Sequence, residues 1–461
     1  MTIRSLLVAN RGEIAVRIIK AAKALGIRTV QVHSAADADM LAVRLADEAV
    51  DIGPPAAKKS YLNIEAVIAA AKTAGVDAVH PGYGFLSENA AFADAVEAAG
   101  LIFVGPAGDA IRLLGDKVAA RALAAKAGVP TVPGSAGRVS SLDEAREVAK
   151  QAGFPIMIKA AAGGGGRGIR VASDMADLER HFPQASAEAL AAFGDGGLYL
   201  EKVITKARHI EVQILGDGDN FIHCFERECS LQRRRQKVWE EAPAFLLPEE
   251  VREKLCASAV ALAREVKYRG AGTVEYLYDE DSRRFYFIEV NTRIQVEHPV
   301  TEMVTGIDLV QEMIRIAGGA PLSIRQEDVV LRGHAIECRI NAEDPARGFL
   351  PAPGTVQRLV VPEAEGIRFD TMLYQGYTIP PFYDSLLGKL IVWAETRDAC
   401  LDRLREALKG LVVDGVPTTV PLHLALAGDD SVCRGDFHTR FLEDWLDDVF
   451  AHQASSKAEV A

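Results

Sequence analysis

Apolar and polar positions change period in a regular order along the first hundred residues. An apolar run from Leu6 to Ala9 follows a short polar start and predicts a strand over Ser5–Ala9. Ile14, Ile18 and Ile19 then recur at helical spacing, predicting a helix from Glu13 to Ala24 that Gly26 stops. Arg28–His33 reads as the next strand, Ile64–Thr73 as a helix, and Ala78–His80 as a strand. Leu101–Val104 is one more strand, before Gly105-Pro106. Alternation of this kind predicts a parallel sheet with helices on its faces. The turn after the first strand reads Ala9-Asn10-Arg11-Gly12-Glu13 and lacks G-x-G-x-x-G, which argues against a dinucleotide site.

Gly115-Asp116-Lys117 opens a second region, and Pro130, Pro133, Gly134 and Gly137 mark a loop-rich boundary inside it. Thr131 to about Leu200 reads as a small α/β module. Glu201 to about Arg325 holds most of the polar residues with chemical potential. Beyond Val330 the pattern is mixed, with strand signals at Ala335–Ile340 and Lys389–Trp393. The fold class expected is α/β and α+β, multidomain: residues 1–115, 116–330 with a lid at about 131–203, 331–450, and a flexible tail over 451–461.

Composition narrows the function. The chain has 461 residues, enough for about three domains, and 49% hydrophobic residues can bury several cores. A net charge of -12 disfavours a general nucleic-acid or anionic-membrane binder while leaving room for a local basic pocket. The six cysteines include no C-x-x-C pair and read as reduced residues of a cytoplasmic protein. No apolar run is long enough to span a membrane, and Leu6–Ala9 is too short for the core of a signal peptide.

Two segments point to phosphate chemistry. Lys159 ends a strand-like run that leads into Gly163-Gly164-Gly165-Gly166-Arg167-Gly168. Glycines let backbone N–H groups turn toward a phosphate, and a lysine at the strand end can reach its oxygens. Ile169-Arg170 follows where a Walker loop needs G-K-[ST]. The plainer reading is a flexible hairpin turn. Downstream, Thr273–Tyr278 and Phe285–Asn291 read as two strands joined at Asp279–Arg284. Glu289 and Asn291 share a face, and Glu275 can meet them across the hairpin. Two carboxylates and an amide oxygen suit Mg²⁺ with nucleotide phosphates; the alternative is a solvated face.

The alternation continues through Arg293, Gln295 and Glu297. An extended backbone would bring a cation, an amide and a carboxylate to one face, where Arg can grip a planar oxyanion and Glu can take its proton. An Arg293–Glu297 surface ion pair is the bland alternative. The basic run Gln232-Arg233-Arg234-Arg235-Gln236-Lys237 has no interleaved aromatics, so small anions fit it better than nucleic acid.

Taken together, these residues resemble the biotin carboxylase family of the ATP-grasp superfamily, over nearly the whole chain from Ala9-Asn10-Arg11-Gly12-Glu13-Ile14-Ala15 to about Phe441. The most specific stretches run from His80 to Asn89, from Gly163 to Gly168, from Glu289 to Glu302 and from Gly333 to Glu343. The resemblance implies an ATP-grasp domain between biotin carboxylase N- and C-terminal domains. It implies ATP phosphates on Lys117, Lys159 and the lid glycines Gly164, Gly165 and Gly166. Glu201, Lys202 and Ile204 would line the adenine pocket, with His209 near the ribose and Gln232 and Arg235 near the nucleotide. Glu275, Glu289 and Asn291 would hold Mg²⁺, with Mn²⁺ as an alternative. Lys237, Arg293, Gln295 and the Val296 backbone would hold bicarbonate. Glu297 would be the base, Arg339 would stabilise the biotin enolate, and Tyr83 would lie near biotin.

The chain departs from the family at Arg235, where a histidine is usual, which bears on nucleotide geometry more than on reaction class. None of the seven methionines precedes a lysine, so the Met-Lys-Met context of a biotinylation site is missing. The expected partners are therefore a separate biotin carboxyl carrier protein and a carboxyltransferase subunit, in a homodimeric component of an acyl-CoA carboxylase. Pyruvate- or urea-type systems share the module. Two other classes compete: a different ATP-grasp ligase, and a degenerate nucleotide-binding scaffold. The first would not be expected to carry Arg293, Gln295, Glu297 and Arg339 together, and the second would be expected to have lost Lys237, Glu297 or Arg339.

Overall fold

Ser5–Val8, the helix Gly12–Ala24 and Arg28–His33 begin an alternating α/β unit, as the periodicity predicts. The structure is a computed structural model and describes residues 2–160 and 169–448. Gly164, Gly165 and Gly166 and the tail over 451–461 lie outside the described residues. The first sheet is five-stranded and parallel, in the order Glu48–Asp51, Arg28–His33, Ser5–Val8, Ala78–His80, Ile102–Phe103. Helices cover both faces, since parallel strands need crossover connections. The last strand is shorter than Leu101–Val104.

Asp116 caps the helix Lys117–Lys126, its side chain accepting from the Val118 and Ala119 amides. The next unit is a three-stranded antiparallel sheet, Arg170–Ala172, Ile156–Ala160 and Leu198–Lys202, packed on the helices Leu142–Ala152 and Met175–Phe193. It has its own core of Val139, Ala145, Ile156, Ile158, Leu178 and Leu198.

An eight-stranded sheet carries the rest. Its order is Arg284–Asn291, Arg269–Asp279, Ala207–Asp217, Phe221–Arg233, Gln236–Ala242, His334–Asn341, Leu386–Ala394, Ile367–Thr371. The neighbouring strands are antiparallel. Gln236–Ala242 pairs with His334–Asn341, so one sheet runs across residue 330. The helix Glu249–Glu265 covers one half through Leu255, Ala259 and Leu262, and Arg397–Gly410 covers the other through Leu401 and Leu404.

Candidate active site

The polar face of the eight-stranded sheet follows from period-2 alternation. Along Ala207–Asp217, Ile210, Val212 and Ile214 pack into a core, while His209, Glu211 and Gln213 turn to the other side. Glu275 lies directly opposite Glu211 on one neighbour and opposite Glu289 on the other, with Thr273 opposite Asn291. Two anions facing each other repel unless a cation lies between them.

Lys237 supplies that cation. Its Nζ donates to Glu211 at 2.5 Å, Glu297 at 2.7 Å and Glu275 at 2.9 Å. Glu211 and Glu297 are 0% exposed, so these are desolvated pairs. Burial alone would push both carboxyls up; Lys237 outweighs it, aided by Arg227 at Glu211, and holds both below the usual carboxylate range. Arg227 donates to Glu211 at 2.6 Å and to Gln213 at 2.8 Å. His209 Nε2 sits 3.3 Å from Glu275 and 3.7 Å from Glu211. Burial lowers its pKa, and the adjacent carboxylates, Glu275 foremost, more than compensate, raising it to about 9.

The segment after the hairpin is not extended. The strand ends at Asn291, the chain turns, and Glu297 becomes the N-cap of the helix His298–Thr305. The three side chains still converge, by folding. Arg293 donates to Gln295 Oε1 at 2.8 Å, Asn291 Oδ1 at 3.0 Å and Glu88 Oε2 at 3.0 Å. Gln295 Nε2 donates to Glu275 at 3.3 Å, and Asn291 Nδ2 to the same oxygen at 3.0 Å. Arg293 thus pairs with Glu88, and Glu297 with Lys237 and, at 3.0 Å, Arg339. Neither the shared strand face nor an Arg293–Glu297 pair forms.

Arg339 also donates to Glu240 at 2.6 Å. Glu240 and Glu337 are cross-strand partners, both fully buried. Burial pushes both up, Glu240 to about 7 and Glu337 well above the carboxylate range. Tyr83 donates its hydroxyl to Glu13 beside a cavity of about 410 Å³ lined by Asn10, Phe85, Phe382, Tyr383 and Asp384.

The residues expected to serve the nucleotide sit mostly on other elements. Lys159 and Glu201, on paired strands of the small sheet, form an ion pair that Arg121 joins. Lys202 and Ile204 follow, both half-buried, with the Lys202 amide donating to Pro133 O at 2.7 Å. Lys117, 81% exposed, reaches Glu289 at 3.6 Å. Glu289 is thus turned toward Lys117, while Glu275 faces Lys237 and His209. Gln232 is buried and donates to Cys229 O at 2.8 Å. Arg235 is exposed at the hairpin tip and makes no hydrogen bond or ion pair among the described residues.

Sequence reasoning missed Glu211, Arg227, Glu240, Glu337, Glu13 and Lys389. Glu211 was legible, since His209, Glu211 and Gln213 alternate with three branched aliphatics. Glu240 and Glu337 carry no comparable signal, because only pairing of distant strands opposes them.

Buried carboxylates paired with cations on one sheet, and a lysine on a separate small sheet, are consistent with an ATP-dependent ligase, the class to which comparison with known proteins assigns the chain. Family profiles described as "Biotin carboxylase, N-terminal domain", "Carbamoyl-phosphate synthase L chain, ATP binding domain" and "Biotin carboxylase C-terminal domain" match residues 2–111, 116–325 and 337–444. A biotin carboxylase of Pseudomonas aeruginosa is 54% identical over 96% of this chain and 99% of that protein. The biotin carboxylase–β,γ-ATP complex from Campylobacter jejuni is 46% identical with a TM-score of 0.89, covering 96% of this chain and 99% of that one. The biotin carboxylase domain dimer of Hydrogenobacter thermophilus 2-oxoglutarate carboxylase, in complex with MgADP, ADP and bicarbonate, is 48% identical with a TM-score of 0.87, covering 96% and 98%. The chain belongs to the biotin carboxylase family.

Proposed function

We propose that this enzyme carboxylates biotin on a separate carrier protein, using ATP and bicarbonate, as the first half-reaction of a biotin-dependent carboxylase. The observation that carries the reading is Glu297, a fully buried carboxylate gripped by Lys237 and Arg339 at the end of the Arg293–Gln295 turn.

Bicarbonate binds between Lys237, Arg293, Gln295 and the Val296 backbone, and takes the Lys237 bond now made to Glu297. Relieved of that cation, Glu297 becomes more basic and removes the bicarbonate proton. The bicarbonate oxygen attacks the γ-phosphorus of ATP, the bond to ADP breaks, and carboxyphosphate forms. Carboxyphosphate breaks down to CO₂ and phosphate. Phosphate takes the proton from the biotin ureido nitrogen, Arg339 balances the negative charge on the ureido oxygen, and the nitrogen attacks CO₂. Tyr83 lies on the biotin side. Lys117, Lys159, Glu201, Lys202, Ile204, His209, Gln232 and Arg235 serve the nucleotide. The domains 1–115, 116–330 and 331–450 supply the biotin side, the nucleotide with bicarbonate, and Arg339.

Glu275 and Glu289, two directly opposed carboxylates, have the chemistry to hold a hard divalent cation; the Asn291 oxygen, which now accepts from Arg293, would join them once its amide turns over. Mg²⁺ held there supplies charge neutralisation for the phosphates. The favoured acceptor of the second half-reaction is an acyl-CoA, and the working form is a homodimer in the cytoplasm; among the described residues no helix is long and apolar enough to cross a membrane.

The test is Mg²⁺-dependent ATP cleavage with and without bicarbonate and free biotin, following labelled carbon. Cleavage that needs both and yields labelled carboxybiotin is the expected result. Cleavage indifferent to biotin would move the assignment to another ATP-grasp ligase.

A further inference from the structure

The turn Ala9-Asn10-Arg11-Gly12-Glu13, which is no dinucleotide fingerprint, is built into the site from behind. Asn10 Nδ2 donates to the carbonyls of Pro81 at 2.6 Å and Tyr83 at 2.7 Å. Glu13, 2% exposed at the start of the first helix, accepts the Tyr83 hydroxyl. The same carboxylate meets Lys389 Nζ at 3.1 Å. Lys389 is 0% exposed and donates in addition to the Val296 carbonyl at 2.8 Å. Lys389 comes from the strand Leu386–Ala394, where it lies opposite Arg339 on one side and Asp370 on the other.

A fully buried ammonium needs a compensating charge, and Glu13 provides it. Charge balance alone accounts for neither end of the chain. It does not require the second bond to Val296, in the segment between Gln295 and Glu297. Nor does it require that Glu13 hold Tyr83. Asp370 lies in register with Lys389, yet its bonds go to Arg368. The partners Lys389 does engage lead to the two substrate sides of the reaction.

We infer that Lys389 and Glu13 are positioning residues. Together they set Tyr83, on the biotin side, against the Val296 segment, on the bicarbonate side. The brace joins the first helix and the loop after Ala78–His80, the turn after the hairpin and the strand Leu386–Ala394. This role rests on the biotin carboxylase reading.

The test is steady-state kinetics on the full chain carrying Lys389→Met, varying ATP, bicarbonate and free biotin in turn. The KM values for bicarbonate and biotin are each expected to rise about tenfold, the scale of one lost charge-assisted hydrogen bond. The KM for ATP should stay within about twofold of wild type, since Lys159 and Glu201 pair with each other and Arg121, outside the brace. Glu13→Gln keeps an acceptor for Tyr83 and removes the charge beside Lys389. It should raise the same two constants less, and add little to Lys389→Met, because the two residues act as one unit. Equal rises in all three constants, or wild-type constants with only a lower Tm, would overturn the role. Should Lys389→Met not fold, Glu13→Gln decides on the same two constants. Wild-type ATP cleavage indifferent to biotin would overturn the underlying reading and this role with it, and is told apart because it needs no variant.

Discussion

Glu297 accepts from Lys237 on one oxygen and from Arg339 on the other, and is fully buried. Replacing it by Gln keeps the shape and removes the proposed base. Lys237 retains Glu211 and Glu275, so the ammonium stays paired and the chain should fold. Glu297→Gln is expected to abolish biotin-dependent turnover, by at least about a hundredfold, the scale of general-base catalysis. ATP binding, measured by calorimetry, should be largely intact. Unchanged turnover would remove the base assignment. The residue types here were legible as a polar run after a hairpin. Their arrangement was not, because the alternation stops where the strand does, and an N-cap does what a strand face was expected to do.

At the scale of elements, the basic run closes a hairpin. Phe221–Arg233 and Gln236–Ala242 are joined by Arg234 and Arg235 alone, at φ of 49° and 64°. Two-residue loops of this hand favour Asn-Gly, and a left-handed non-glycine residue costs about 1 kcal/mol. Arg233 anchors the base of the loop, stacking 3.7 Å over the Phe349 ring. Histidine, the residue expected at position 235 from the resemblance, enters positive φ more readily than most residues. Arg235→His should therefore keep the turn and preserve or raise kcat. A collapse of activity would make Arg235 an adapted nucleotide contact. The acidic hairpin was readable from alternation, whereas the strands Phe221–Arg233 and Gln236–Ala242 and their tip were not, since a basic run carries no strand signal and arginine no turn signal.

Over the whole molecule, buried ion pairs tie regions far apart in sequence. Arg17 of the first helix donates to Glu302 at 2.8 Å and to Asp308 at 2.7 Å. Glu302 also accepts from Arg368 at 2.7 Å, and Arg368 holds Asp370. Burial raises the Asp370 carboxyl, and Arg368 outweighs it, bringing it down to about 2. A depressed carboxyl contributes stability above its unfolded pKa near 3.8 and loses it as pH falls through the folded value. Asp370→Asn is thus expected to cost about 2 kcal/mol in urea unfolding at pH 5, a gap that narrows by about half at pH 3. A gap independent of pH would show that the aspartate acts by shape alone.

The alternating α/β start, the acidic hairpin and most residues of the site are written in local periodicity and motif, because period and residue type are properties of a short window of chain. The opposition of Glu240 to Glu337, the grip of Lys237 on three carboxylates and the brace from Tyr83 to Val296 were decided only by tertiary structure. Each joins residues brought together by sheet register and by packing between regions, and no local pattern encodes which distant strand becomes a neighbour.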